Sequence, residues 1–149
     1  MRGHPGCGII EARTRSMFWK LALGVSLVSL VACGANGPTS LSGPPPDAGA
    51  TITIQGYAYS PLELTVDAGT IVAVHNLDEH QHTVTSESTD NAFVPGRTNG
   101  VAFDTGTVEG NAWGVFTVPA EAPSGAVLPY YCVTHGAGMK TPNGHIHVR

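Results

Sequence analysis

A β-sandwich is the fold class that this sequence predicts, on three observations. Apolar and polar residues alternate with a period of two through residues 50–149, Gly and Pro interrupt the alternation at the spacing of sandwich turns, and no stretch carries the 3.6-residue period of a long amphipathic helix. The stretch 51–55 alternates, as does 62–66, which runs into the turn Asp67-Ala68-Gly69. Over 70–76, Val72 and Val74 share one face, with Ala73 and His75 on the other. Residues 82–86, 114–118, 127–132 and 145–148 supply further strands. In the last of these His145 and His147 alternate with Ile146 and Val148, so the two imidazoles face outward. Residues 86–100 are polar and bear Gly and Pro, with one apolar patch at Phe93-Val94, and read as a long connection across the sandwich. There are no internal repeats.

Upstream of residue 50 the composition changes twice. Met17-Phe18-Trp19-Lys20 is a short n-region ending in a positive charge, and residues 21–31 form an apolar run too short to span a bilayer but suited to an export signal. That pattern makes residues 1–32 an export signal and places the start of translation at Met17. Leu30-Val31-Ala32-Cys33 resembles a bacterial lipobox, which implies a lipid on Cys33, cleavage before it, and a protein anchored to a membrane in the periplasm or on the outer cell surface. The competing reading is an ordinary signal with an incidental cysteine. Residues 33–49 are rich in Gly, Pro, Ser and Asn, include Pro44-Pro45-Pro46, and read as a flexible tether. Residues 50–149 are enough for one modest core.

From Cys33 onward three Lys or Arg (Arg97, Lys140, Arg149) stand against ten Asp or Glu, a net charge near −7 against −4 for the whole chain. So acidic a domain makes nucleic acid an unfavourable partner.

Of the three cysteines, Cys7 and Cys33 fall in or beside the export signal, leaving Cys132 as one thiol in an exported domain, where unpaired thiols tend to oxidise. It lies in Tyr130-Tyr131-Cys132-Val133-Thr134-His135-Gly136-Ala137-Gly138-Met139. Thiolate, imidazole and thioether at this spacing suit copper, because together they hold both Cu(I) and Cu(II). Cys132 ends a strand, so rigid backbone positions its sulfur; His135 turns back from a Gly-rich loop; Met139 follows as a weak thioether donor. Each alone has a plainer role, as an inert core thiol, a solvated histidine and a core filler. A fourth ligand must come from His75, His80 or His82. His75 lies on the outer face of its strand, whereas His80 and His82 are two apart and can face the same way.

Three stretches carry a family resemblance. The run 69–78 with its Asn76-x-Asp78 turn, followed by His82-Thr83-Val84, then Phe103-Asp104-Thr105-Gly106, then Tyr130-Tyr131-Cys132-x-x-His135 with Met139 and the closing strand 143–148, resemble the cupredoxins, the small type 1 (blue) copper proteins of the plastocyanin, azurin and amicyanin kind. The resemblance implies a Greek-key sandwich of seven to eight strands holding one copper per domain. It implies His82, Cys132 and His135 as the trigonal ligands and Met139 as the axial one. The activity implied is one-electron transfer, without catalysis, by a monomer that meets a redox protein such as a cytochrome. Plastocyanin-like loops place four residues between this histidine and the methionine and amicyanin-like loops two; here Gly136-Ala137-Gly138 makes three, a hybrid length. Electrons are expected at the His135 edge, with Pro129 and Pro142 in a flat apolar surround.

Other copper functions lack their residues. A multicopper oxidase or nitrite reductase needs a His-Cys-His tripeptide, but Cys132 is flanked by Tyr131 and Val133; a binuclear copper loop needs two thiolates; structural zinc is disfavoured by one Cys and a thioether. The reading that competes most closely is a copper-binding or copper-delivery lipoprotein with the same ligands and no redox partner.

Overall fold

Two four-stranded sheets organise residues 40–149, the part of the chain that the computed structural model describes. The strands in chain order are β1 (Ala50–Gln55), β2 (Ala58–Ser60), β3 (Glu63–Val66), β4 (Ile71–Asn76), β5 (Thr85–Ser86), β6 (Trp113–Thr117), β7 (Val127–Tyr131) and β8 (Asn143–Val148). One sheet has the order β2-β1-β4-β6 and the other β3-β8-β7-β5. Pairs β1–β4 and β3–β8 are parallel and the rest antiparallel, so the chain crosses repeatedly between sheets. Eight strands and almost no helix meet the expectation of an all-β sandwich.

The alternation read from the sequence becomes the core. Ile52, Ile54, Val72, Val74 and Phe116 from one sheet and Val66, Leu128, Tyr130, Ile146 and Val148 from the other belong to one buried cluster. His145 and His147 are half-exposed between buried Ile146 and Val148, as the period of two requires. Ala73 departs from the pattern: it is buried although it alternates with the core-facing valines, because its small side chain lies in a central strand between Thr51 of β1 and Val115 of β6. His75, on the same outer face, stacks on Trp113 at 3.8 Å with the rings 6° from parallel.

One strand is new and two local expectations change. Strand β2 has only three residues and follows Tyr57, whose φ of 64° is left-handed, so it is too short to show a period. The predicted strand 82–86 shrinks to β5, with His82 in a single bridge to Val108, because the segment lends its side chains to the loops around it. The end of the expected tether is docked: Leu41 N donates to Trp113 O at 2.7 Å and Trp113 N to Leu41 O at 3.0 Å, while Ser40 Oγ accepts Glu109 N at 3.0 Å. Strand β6 is the sheet edge, and its free backbone groups take the incoming chain. The export signal and Cys33 lie outside the described residues.

The core leaves no room at Gly144, opposite Tyr130 in the β7–β8 ladder. A Cβ there would lie 2.3 Å from the Tyr130 ring, and that ring is itself wedged edge-on against Tyr59 at 5.0 Å. Gly144→Ala should therefore destabilise the domain by about 1–3 kcal/mol through overpacking. Urea unfolding should show a lower midpoint at an unchanged slope; an unchanged midpoint would mean that Tyr130 is free to move.

Candidate metal centre

Two loops at the same end of the sandwich build the site. The first, 76–82, follows β4 and is riveted by Asn76, which is fully buried. Asn76 Nδ2 donates to the carbonyls of His80 (2.7 Å), Val108 (3.1 Å) and Glu109 (3.0 Å), and its Oδ1 accepts Asp78 N at 3.0 Å. Reciprocal backbone bonds between His82 and Val108, at 3.0 and 2.8 Å, then pin the backbone at His82. Asparagine serves here because one side chain supplies donors and an acceptor at once. The second loop leaves β7 at Cys132, closes with Gly136 N on Cys132 O at 2.7 Å, and passes through a 3-10 turn at Gly136–Gly138 before Met139. Gly136 takes a φ of 49°, which its missing Cβ permits.

The loops bring three expected ligands together. Cys132 Sγ lies 3.7 Å from His82 Nδ1 and 3.4 Å from His135 Nδ1, and all three donor atoms are within 4.8 Å of one another. Trigonal ligands bound at roughly 2.0–2.3 Å sit about 3.5–4 Å apart, so the donors already have the separations that a first-row metal ion requires. His82 and Cys132 are fully buried and His135 is half-buried. Cys132 is a free thiol. Met139, the fourth expected ligand, is buried at the end of the same loop and packs with the core cluster. His80 is exposed and outside the donor cluster, which separates it from His82.

The surrounding residues orient these donors. Thr83 N donates to Cys132 Sγ at 3.4 Å, and Thr83 Oγ1 accepts Val133 N at 2.9 Å, joining the two ligand loops. Thr83 Oγ1 is linked at 2.9 Å to Thr85 Oγ1, which donates to Asp104 Oδ1 at 2.8 Å. Thr105 Oγ1 accepts Val84 N at 2.9 Å, so the Phe103-Asp104-Thr105-Gly106 motif staples the His82 segment in place. His82 Nε2 faces Asp78 Oδ2 at 3.1 Å. Burial and the neighbouring His135 hold the His82 imidazole below its usual range, although Asp78 pulls it upward, so it stays neutral with a lone pair to offer. Burial alone would raise the Asp78 carboxyl; amide donation from Tyr57 and Gly56 and the contact with His82 outweigh it and keep the group ionised.

Several residues at the site carried no sequence signal of their own. Tyr57 places its ring edge-on to His82 at 5.3 Å and to His135 at 5.0 Å. Glu87 is fully buried and organises the connection 88–98, accepting Asn91 N at 3.2 Å, Phe93 N and Asn143 Nδ2. Phe93 thereby packs edge-on against Tyr131, next to Cys132. A run of polar residues conceals such an anchor, because its partners are backbone amides. Pro129, expected in the surface surround, is buried within β7, whereas Pro142 is half-buried.

His82→Gly should lower metal affinity on the order of 100-fold or more, beyond the roughly 10–100-fold lost with a residue that only supports a ligand. His80→Gly should leave affinity unchanged. Competition titration with a chelator checks both, and equal losses would remove His82 from the site.

The chain matches no protein-family model and no curated protein sequence. Solved structures do resemble it. The purple cupredoxin from Nitrosopumilus maritimus aligns with a TM-score of 0.50 and 22% identity, over 67% of this chain and 99% of that one. An oxidised amicyanin variant gives 0.56 and 17%, over 76% and 95% of the two chains. The Cu(I) form of another amicyanin variant gives 0.55 and 16%, over 76% and 95%. These likenesses of shape, together with two mixed sheets of four strands each, give the domain the cupredoxin fold.

Proposed function

We propose that this domain is a type 1 copper protein that carries single electrons outside the cytoplasm. The observation that carries the reading is the trio of His82, Cys132 and His135, whose donor atoms stand at ligand separations at the end of a cupredoxin fold. One thiolate with two imidazoles is a soft and borderline set that suits copper, and Met139 adds the axial thioether. Copper held there supplies a one-electron Cu(I)/Cu(II) couple.

The residues of the chain do the rest. The bonds from Asn76, Thr83 and Asp104 hold the donors in one arrangement, which keeps reorganisation on electron transfer small. The Thr83 amide on Cys132 Sγ withdraws charge from the sulfur and so favours the reduced state. The exposed edge is His135, beside exposed Ala137, Gly138 and Val133 and half-buried Pro142. Little side-chain bulk separates this edge from a partner. The acidic chain favours a basic redox protein such as a cytochrome, at a rate that falls as salt rises.

The export signal, the lipid on Cys33 and the membrane anchor that they imply complete the proposal. Among the described residues no helix is long and apolar enough to cross a membrane. Attached acyl chains contribute about 0.8 kcal/mol per buried CH₂, so two or more make a stable anchor.

The oxidised, copper-loaded protein should show an intense visible thiolate-to-copper band, lost in Cys132→Ser; a variant that keeps the band would remove Cys132 from the site. Ala137→Arg should slow electron exchange with a basic cytochrome about tenfold or more, by bulk and by like-charge repulsion, while leaving the band in place. If copper instead passes readily to an acceptor protein and electron exchange with unaltered Ala137 is slow, the delivery reading replaces the carrier.

A further inference from the structure

Asp78 joins the ligand His82 to a part of the fold that contributes no ligand. One carboxylate oxygen accepts Gly56 N; the other accepts Tyr57 N at 2.8 Å and faces His82 Nε2 at 3.1 Å. Asp78 is in turn held by its own backbone, with its N–H on Asn76 Oδ1 and its carbonyl accepting Asn111 N, both at 3.0 Å. Gly56 and Tyr57 form the β1–β2 turn, and both have left-handed φ, at 59° and 64°. Tyrosine is strained there, and the two amide bonds to one carboxylate offset that strain. Tyr57 O then accepts Lys140 N at 2.8 Å, one residue beyond Met139, so the turn is tied to both ligand loops.

The chemistry of the His82 contact has one solution. An ionised carboxylate only accepts, so in a neutral imidazole Nε2 must carry the proton, leaving the Nδ1 lone pair directed at Cys132 Sγ. A carboxylate behind a ligand imidazole also raises its donor strength, which stabilises Cu(II) more than Cu(I).

We propose that Asp78 is the positioning residue of this site: its carboxylate selects the Nδ1-donor tautomer of His82 and holds Tyr57 as an aromatic cover over His82 and His135. The copper arm rests on the function proposed above; the tautomer arm does not. A carboxylate that merely clamped a turn would affect neither the tautomer nor the balance between oxidation states. Asp78→Asn tests this, because with its one amide oxygen on Gly56 N the NH₂ takes the place of the oxygen shared by Tyr57 N and His82, and meets the Nε2–H of His82 donor to donor; the tautomer and the affinity ratio then report on His82 rather than on the turn.

Imidazole ¹⁵N spectra of the full chain, metal-free and as the diamagnetic Cu(I) form, should show His82 protonated at Nε2 alone. In metal-free Asp78→Asn both tautomers should appear. Cu(II) affinity should fall about 10–100-fold, and Cu(I) affinity less, so that the ratio of the two shifts toward Cu(I). A metal-free wild-type protein already mixed or protonated at Nδ1 overturns the proposal whether or not the variant folds. So does a variant with the wild-type tautomer and an unchanged affinity ratio. Absence of a visible thiolate band in the wild-type protein would defeat the copper reading and leave the metal-free spectra to decide the role of Asp78.

Discussion

Thr83 does two things at once. Its amide reaches Cys132 Sγ, and its hydroxyl receives the amide of Val133, across 49 and 50 residues of chain. Ligands drawn from two loops can share one ion only if the loops are fixed to each other, and ordering each loop residue costs about 1–2 kcal/mol of backbone entropy. Hydrogen bonds between neutral groups return about 1 kcal/mol each, so one bond cannot hold such a site. The chain uses a connected set: Asn76 binds three carbonyls, Thr83 bridges the loops, and Thr85 and Asp104 extend the bridge to the far side of β5. Most of these groups are buried, where an unmade bond is costly, and that asymmetry makes the arrangement specific.

The same logic explains one long and one short segment that lack regular structure. The connection after β5 would be free to wander without Glu87, which lies fully buried and gathers two backbone amides and the Asn143 amide onto one carboxylate. Its effect is to set Phe93 beside Tyr131, and so to wall one side of the Cys132 loop with aromatic surface. The β1–β2 turn walls another side with Tyr57. Both walls hang from a buried or half-buried carboxylate that binds amides, a device that fixes irregular backbone without secondary structure.

Charge acts at longer range. An excess of acids over bases from Cys33 onward surrounds a cluster that presents only the half-buried His135 to solvent. The edge at His135 is lined by small and apolar groups, so in the function proposed here charge would guide a partner while contact would be left to uncharged surface. The two functions occupy different atoms.

The period of two along 51–55, 62–66 and 70–76 determined the sandwich by itself, because alternation is a local property of an extended chain with one face in a core. The spacing of Cys132, His135 and Met139 likewise made one candidate ligand loop legible, since its members are neighbours in sequence. What sets His82, and not His80, beside Cys132 and His135 was not local: it follows from the reciprocal backbone bonds that pin His82 to Val108 and from the placement of Asn76, both long-range. Strand β2, the docking of Leu41 on β6, and the roles of Tyr57, Asp78, Thr83 and Glu87 were decided only by tertiary structure. Each of these residues acts through backbone groups or rings of segments distant in sequence, and a hydrogen bond across 22 or 50 residues leaves no periodicity to read.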